Sequence, residues 1–222
     1  MTDETIKQLD IWGWLKKDER KLLSKAASVE TVPRGKVLFH EGEKGDRVGL
    51  LAAGKLLLVQ PVAGHEDVVL HVVRPGEVFG ETLLAQTSPV YEYRAETATE
   101  ITVVFVPLSL FADIARQNPQ VAFQLLRMAL QRRQVAEHRL LDVRYQTVEY
   151  RIRKLLREIM ETEGRLLKNG EIELPMRLPH RLVAQLCVTS RQSVTIHLLE
   201  LKKQGILRYN RYHMVVRQPG VL

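Results

Sequence analysis

The stretch Thr189-Ser190-Arg191-Gln192-Ser193-Val194-Thr195 concentrates hydroxyl, guanidinium and amide side chains within two helical turns. Such groups hydrogen-bond to base edges and phosphates: arginine meets guanine or a phosphate through its fork, and glutamine pairs bidentately with adenine. Arg191 and Gln192 are the expected readers, with Thr189, Ser190 and Thr195 beside them. Arg208, Arg211 and His213 follow as cations suited to a phosphate backbone. No rival chemistry stands out. There is no paired-carboxylate site, nucleophile motif, phosphate-cradling glycine loop or cluster of metal ligands, so no catalytic or metal-binding residue is assigned. The single cysteine, Cys187, can neither close an internal disulfide nor supply a structural zinc or iron–sulfur site. It reads as a small buried apolar residue, with a redox switch as the alternative.

These side chains need a frame. Pro179 to Leu186 has the apolar spacing of a short helix, with Leu182, Val183 and Leu186 inward, and Cys187-Val188-Thr189 makes a turn. Ser190 suits an N-cap, because its hydroxyl can accept from amides two or three residues on. A second helix then runs to about Lys203, with Val194, Leu198, Leu199 and Leu201 available to pack on the first and Arg191, Gln192, Thr195 and Ile196 facing out. Gly205 stops it, and Ile206–Tyr209 with His213–Val216 forms a hairpin turning at Asn210-Arg211. This is the pattern of a winged helix-turn-helix; the alternative is a helical pair used only for packing.

The formal charge is +7, and residues 145–222 hold 14 basic against 7 acidic side chains while residues 1–144 balance at 19 each. A basic surplus points to nucleic acid or an anionic membrane, or else only to a solubilising surface. Upstream, residues 3–27 suggest one or two short helices broken around Gly13. From Val29 to Pro107, short runs of Val, Leu, Thr and Phe alternate with glycine-bearing turns, the signature of a jelly roll or barrel. Pro107-Leu108 opens a helical stretch, and Pro119 starts a longer one that runs to about Asp142 without glycine or proline, some 36 Å at ~1.5 Å per residue. On it Val121, Met128 and Val135 recur every seven residues, widened by Leu125, Leu126, Leu130 and Leu141. That stripe suits either packing on the barrel or pairing with a second copy, and Val121, Leu125, Met128 and Val135 are taken as the dimer seam. Val148 to Met160 is a further amphipathic helix ended by Gly164.

At 222 residues, with 45% hydrophobic and 27% charged residues, the chain suits folded domains rather than disorder or a fibrous repeat. No stretch approaches the ~20 apolar residues of a membrane span; Val103 to Leu110 is interrupted by Pro107 and Ser109. The opening Met-Thr-Asp-Glu-Thr-Ile-Lys carries acids where a secretory signal carries bases, so a cytoplasmic location is expected. The organisation expected is α+β: residues 1–117 a jelly-roll domain with flanking helices, 118–144 a long dimerisation helix, and 145–222 a winged helix-turn-helix domain.

The order of these parts, together with Glu41-Gly-Glu-Lys-Gly-Asp46, the Gly54 turn, Arg74-Pro-Gly-Glu-Val-Phe-Gly-Glu81 and Val183-Ala-Gln-Leu-Cys-Val-Thr-Ser-Arg-Gln-Ser-Val194, resembles the cyclic-AMP receptor protein/FNR family of transcription regulators over nearly the whole chain. The resemblance implies a homodimer whose recognition helices enter successive major grooves of a palindromic duplex site. It also implies a sensory β domain and, for an activator, contact with RNA polymerase. Gly80, Glu81, Thr82, Arg94 and Glu137 are the effector-pocket residues it implies. Cyclic-AMP-binding members place an Arg-Ser or Arg-Thr pair on the cyclic phosphate; here the nearest positions are Pro89-Val90, so the phosphate lacks its strongest contact. An ungapped reading puts Ala136 and Glu137 where those members offer hydroxyls to the adenine. Any small-molecule effector is therefore of unassigned identity. The cluster-binding branch needs N-terminal cysteines that this chain lacks, and His40, His65, His71 and His138 do not make a haem site the expectation. In the recognition helix, Gln192 and Ile196 replace the family's frequent Glu and second Arg, which implies a different operator. The competing reading is a regulatory module that binds an effector and acts through protein contacts.

Overall fold

In a computed structural model, which describes residues 2–7, 9–174, 178–210 and 213–222, the glycine-punctuated run from Ser28 to Pro107 folds into eight strands. They are β1 (Ser28–Val32), β2 (Val37–Phe39), β3 (Arg47–Ala53), β4 (Leu56–Gln60), β5 (Val68–Val73), β6 (Val78–Phe79), β7 (Arg94–Thr97) and β8 (Ile101–Pro107). Two four-stranded sheets result, in the orders β1-β8-β3-β6 and β2-β7-β4-β5. The jelly-roll expectation is met. β8 lies between β1 and β3, antiparallel to both, with Ser28 opposite Phe105 and Val48 opposite Val106.

Alternation along a strand sends successive side chains to opposite faces, and β8 is apolar on both. Val103 and Phe105 enter the core between the sheets with Leu51, Leu58, Phe79 and Tyr93, whereas Val104 and Val106 enter a second core under helices. Gly49 of β3 is required where it stands, because a Cβ there would lie 2.0 Å from the Phe79 ring across the ladder. The second core takes Ile6, Leu9, Ile11, Leu15 and Leu23 from α1 (Thr2–Lys7), α2 (Asp10–Trp14), α3 (Lys17–Ala26) and their connections. Three helices therefore stand where one or two were expected. Gly13 lies inside α2, with open space around it, rather than breaking the chain.

Phe111 and Ile114 of α4 (Leu108–Gln117) complete this core, and α5 (Pro119–Tyr145) follows. Asn118 fixes the junction. Its Oδ1 accepts from the amides of Gln120 at 3.1 Å and Val121 at 3.3 Å, capping α5, while its Nδ2 donates to Trp14 O and Glu19 Oε2. Pro119 fits the first turn because its missing N–H has no helical acceptor to lose.

Contacts divide the chain into two compact units, Met1–Pro61 with Val69–Gln134, and Val62–Val68 with Val135–Leu222. The second contains α6 (Val148–Glu163), β9 (Arg165–Leu166), β10 (Ile172–Leu174), α7 (His180–Cys187), α8 (Arg191–Lys203), β11 (Leu207–Tyr209) and β12 (Met214–Val216). Its sheet runs β11-β12-β10-β9. Thr147 Oγ1 caps α6 by accepting from Tyr150 N, and Gly164 ends it where a Cβ would strike Met160 O at 2.3 Å. Ile152, Leu156, Val183, Leu198 and Val216 form its buried centre. Leu199, expected inside, is half exposed, since it falls between the inward rows set by Val194, Leu198 and Leu201. Residues 175–177 lie outside the described residues. Among the described residues no helix is long and apolar enough to cross a membrane.

Candidate functional site

The second unit presents α8 as read from the sequence. Ser190 Oγ accepts from Ser193 N at 3.1 Å and so caps the helix; Thr189 donates its amide to Ala184 O. Thr195 Oγ1 donates to Arg191 O at 2.9 Å and lies 2.8 Å from His180 Nδ1, so the ring nitrogen must be the donor of that second bond. Burial, then the charge of Arg191, hold the His180 imidazole below its ordinary pKa. The Thr195 hydroxyl is thus committed inside the unit, a correction to its place among the outward readers. What points out is Arg191, Gln192 and Ile196, the last 65% exposed.

Arg151 of α6 fastens the turn from behind. Its guanidinium donates to Cys187 O at 3.0 Å and Val188 O at 3.4 Å, and also to Gln146 O at 3.0 Å at the end of α5. Lys154 Nζ adds an ion pair to Asp142 at 2.5 Å. Cys187 is buried, and desolvation pushes its thiol up to about 12, so it is not a thiolate at neutral pH; this supports the structural role over the redox one.

Val188, at the turn, has φ 51° and ψ 62°, left-handed backbone that a β-branched residue rarely adopts. Strain of this kind costs on the order of 1–3 kcal/mol. Val188→Gly is therefore expected to stabilise the protein by about 1 kcal/mol, net of glycine's extra freedom when unfolded. Urea melts of the full chain would show this as a higher midpoint at unchanged slope; a lower midpoint would refute the strain.

The wing is less free than its cations suggest. Arg208 and Arg217 both pair with Glu171, at 3.0 and 3.1 Å, and Glu173 takes His213 at 3.0 Å as well as Arg165. Hydrogen bonds from Asn169 and Arg217, with the charges of Arg208 and Arg217, keep the Glu171 carboxyl below the usual range, and Arg165 and His213 do the same to Glu173. Arg208 was expected to lie along a phosphate backbone; here a carboxylate already holds it. Arg211 lies outside the described residues.

In the first unit, the β6 edge and the residues after it gather a polar cluster. Gly80, at φ 78°, opens a 3₁₀ turn over Glu81–Ala85, and its amide donates to Tyr93 OH at 2.9 Å. Burial pushes the Tyr93 phenol upward, with the Glu81 charge adding to it. Glu81 and Thr82 are in this turn as expected, and Arg94, on β7, lies 3.4 Å from Glu96. The α5 side chain that joins this cluster is Arg132. It donates to Glu77 Oε2 at 3.0 Å, to Val78 O at 2.7 Å and, by a short contact, to Glu81 Oε1. His71 Nε2 reaches the same Glu77 oxygen at 2.6 Å. Burial alone would raise the Glu77 carboxyl, but His71 and Arg132 together hold it below its ordinary value. Glu137, expected here, is instead exposed five residues further along α5.

The faces of α5 also differ from expectation. Val121 is fully buried in its own unit, so it is not available to a seam, while Leu125 and Met128 are partly buried against the same core. Only Val135 of the expected set is exposed. The apolar residues that do face out are Phe123, Leu126 and Leu130, 62%, 55% and 49% exposed, at a spacing of three then four, followed by Leu140 and Leu141. That spacing is itself one coiled-coil seam.

Comparison with known proteins gives three kinds of match. Residues 29–118 match the family model described as Cyclic nucleotide-binding domain. The chain is 25% identical over 206 residues to the CRP-like cAMP-activated global transcriptional regulator of Mycobacterium tuberculosis, covering 93% of this chain and 91% of that one. It is 28% identical over 191 residues to the Cyclic AMP receptor protein of Thermus thermophilus, covering 86% and 84%. Among solved structures, the c-di-GMP responsive global regulator CLP of Xanthomonas campestris has the same fold, with a TM-score of 0.76 at 17% identity, covering 91% of this chain and all of that one.

Proposed function

Since the chain belongs to the cyclic-AMP receptor protein/FNR family of transcription regulators, we propose that it works as a homodimer that binds a two-fold symmetric DNA site and controls transcription there. Residues 1–117 would act as the regulatory β domain, 118–144 as the dimer helix and 145–222 as the DNA reader, in the cytoplasm and, if an activator, beside RNA polymerase. The observation that carries the reading is the start of α8. Arg191, Gln192 and Ile196 stand exposed behind a capped N-terminus, in the part of the chain that holds the whole positive surplus. Arg191 would take guanine or a phosphate, Gln192 adenine, and Ile196 the methyl group of thymine. Thr189 and Ser190 would approach phosphates through their hydroxyls, and Arg208 would do so only by leaving Glu171. Two copies would then span half-sites about 34–36 Å apart. The relatives' cyclic AMP does not transfer with the fold, because Pro89 and Val90 stand where its phosphate would need an arginine.

Selection of a random duplex pool by the reduced full-length protein at near-physiological salt, with no small molecule added, tests this. A palindromic motif, bound with a steep negative dependence on salt, is the expected result. Absence of duplex binding at every salt concentration would favour a module that acts through protein contacts.

A further inference from the structure

We propose that Glu171 is a positioning residue that holds two wing arginines, Arg208 and Arg217, back from the phosphates of a bound duplex, so that affinity is left to the start of α8. The proposal rests on the DNA-binding reading of this unit and deepens it, by assigning a residue that touches no DNA. Register sets the cluster. Arg165, Glu173, Val215 and Arg208 stand side by side on β9, β10, β12 and β11, in one cross-strand row and so on one face of the sheet. The neighbouring rows put Leu174, Leu207, Met214 and Val216 on the opposite, buried face. The turn before β10 fixes Glu171: the Leu167 amide donates to Glu171 O at 2.8 Å, and the Glu171 amide donates to Asn169 Oδ1 at 3.2 Å. The Glu171 carboxylate then accepts from Arg208 Nη2 on one oxygen at 3.0 Å and from Arg217 Nε on the other at 3.1 Å.

Exposure conceals the neutralisation. The Arg208 and Arg217 side chains are 63% and 52% exposed, whereas that of Glu171, which they share, is 13% exposed. Glu173 engages Arg165 and His213 in the same way. Three arginines therefore meet two carboxylates in this cluster, which leaves one net positive charge where the arginines alone would give three. A phosphate brought within reach of Arg208 also comes within reach of Glu171, and repulsion between the two anions offsets what the arginine would gain. Mild acid does not release the hold, because Asn169 and then the two arginines keep the Glu171 carboxyl below its ordinary pKa.

Affinity of the full-length protein for a random-sequence duplex and for the selected operator, titrated over salt, tests this beside elution from heparin. Glu171→Gln is expected to bind both duplexes about ten-fold tighter, with a salt slope steeper by ~1–2 per protomer, since each phosphate neutralised adds about 0.9. An equal gain on the two sequences is the mark of a backbone contact. Glu161→Gln, which removes an exposed acid of α6, controls for charge alone and should move affinity far less. Arg208→Ala should change wild-type affinity by less than two-fold, yet reverse much of the gain when combined with Glu171→Gln. Heparin should retain Glu171→Gln to higher salt than wild type or Glu161→Gln, and this readout holds for any polyanion. Two results would overturn the proposal: Glu171→Gln behaving as Glu161→Gln does, or Arg208→Ala weakening wild type as much as it weakens the Glu171→Gln protein. Should no variant bind duplex at any salt, the DNA-binding reading fails and with it the role assigned to Glu171, whereas duplex binding with an unchanged slope in Glu171→Gln sinks this inference alone.

Discussion

Arg191→Ala is expected to lower affinity for the selected operator by at least 30-fold while leaving the melting temperature unchanged. Each bidentate base contact contributes about 1–3 kcal/mol, and a symmetric site holds two, so ~2–6 kcal/mol is at stake. The fold should not notice, because Arg191 is exposed and among the described residues its side chain makes no hydrogen bond. Two further readouts separate its roles. If the guanidinium meets guanine, sequence preference relaxes at one symmetric position. If it meets phosphate, affinity falls uniformly and the salt slope shrinks by about one per half-site. The His180 imidazole supplies an internal reporter: with the Arg191 charge removed, its pKa should rise towards the ordinary value, as an NMR titration would record. Unchanged operator affinity would end the assignment of α8 as the reader.

The other large effect is expected on α5. Leu126→Glu with Leu130→Glu should convert a dimer into a monomer in sedimentation at micromolar concentration, and operator affinity should drop to that of a single half-site. Each leucine buried at an interface contributes about 1.5–3 kcal/mol, and the two chains bury four, before any repulsion between the new carboxylates. Both side chains are half exposed within one chain, so the β unit should keep its own stability. Met128 is the control. Met128→Ala cuts into the unit's own core and should lower the melting temperature without separating the copies. A doubly substituted protein that stays dimeric would place the interface elsewhere.

Sequence and structure agree where the determinants are local. The cap at Ser190, the stop at Gly205 and the inward rows of α7 and α8 lie within a few residues of what they organise, and so do the glycine turns of the β run. Agreement fails where a face must choose its partner. On α5, Val121, Leu125 and Met128 make one plausible seam and Phe123, Leu126 and Leu130 another; only the position of the β unit decides which is covered. The same geometry hides the function of Arg132. It continues the buried row 121, 125, 128 by four residues, and a cation on an inward row must find a buried acid. That signal was legible, but it becomes specific only once the row is known to face inward. The neutralised wing has the same origin, since Glu171 and Glu173 meet Arg208, Arg217 and His213 only across paired strands.

The pairing of β1 with β8 sets a timetable for synthesis. Ser28 finds its partner in Phe105, and the helices before β1 bury Ile6, Leu9, Ile11, Leu15 and Leu23 against Val104, Val106 and Phe111. At roughly 5–20 residues per second, β1 waits about 4–15 s after leaving the ribosome for β8 to follow. During that interval the amino-terminal helices and the first strands expose apolar faces whose partners do not yet exist, and an unpaired strand edge invites association with other chains. The amino-terminal half is therefore the part of the nascent chain with most need of a chaperone, and slowing translation between residues 40 and 100 is the manipulation to which yield should be most sensitive.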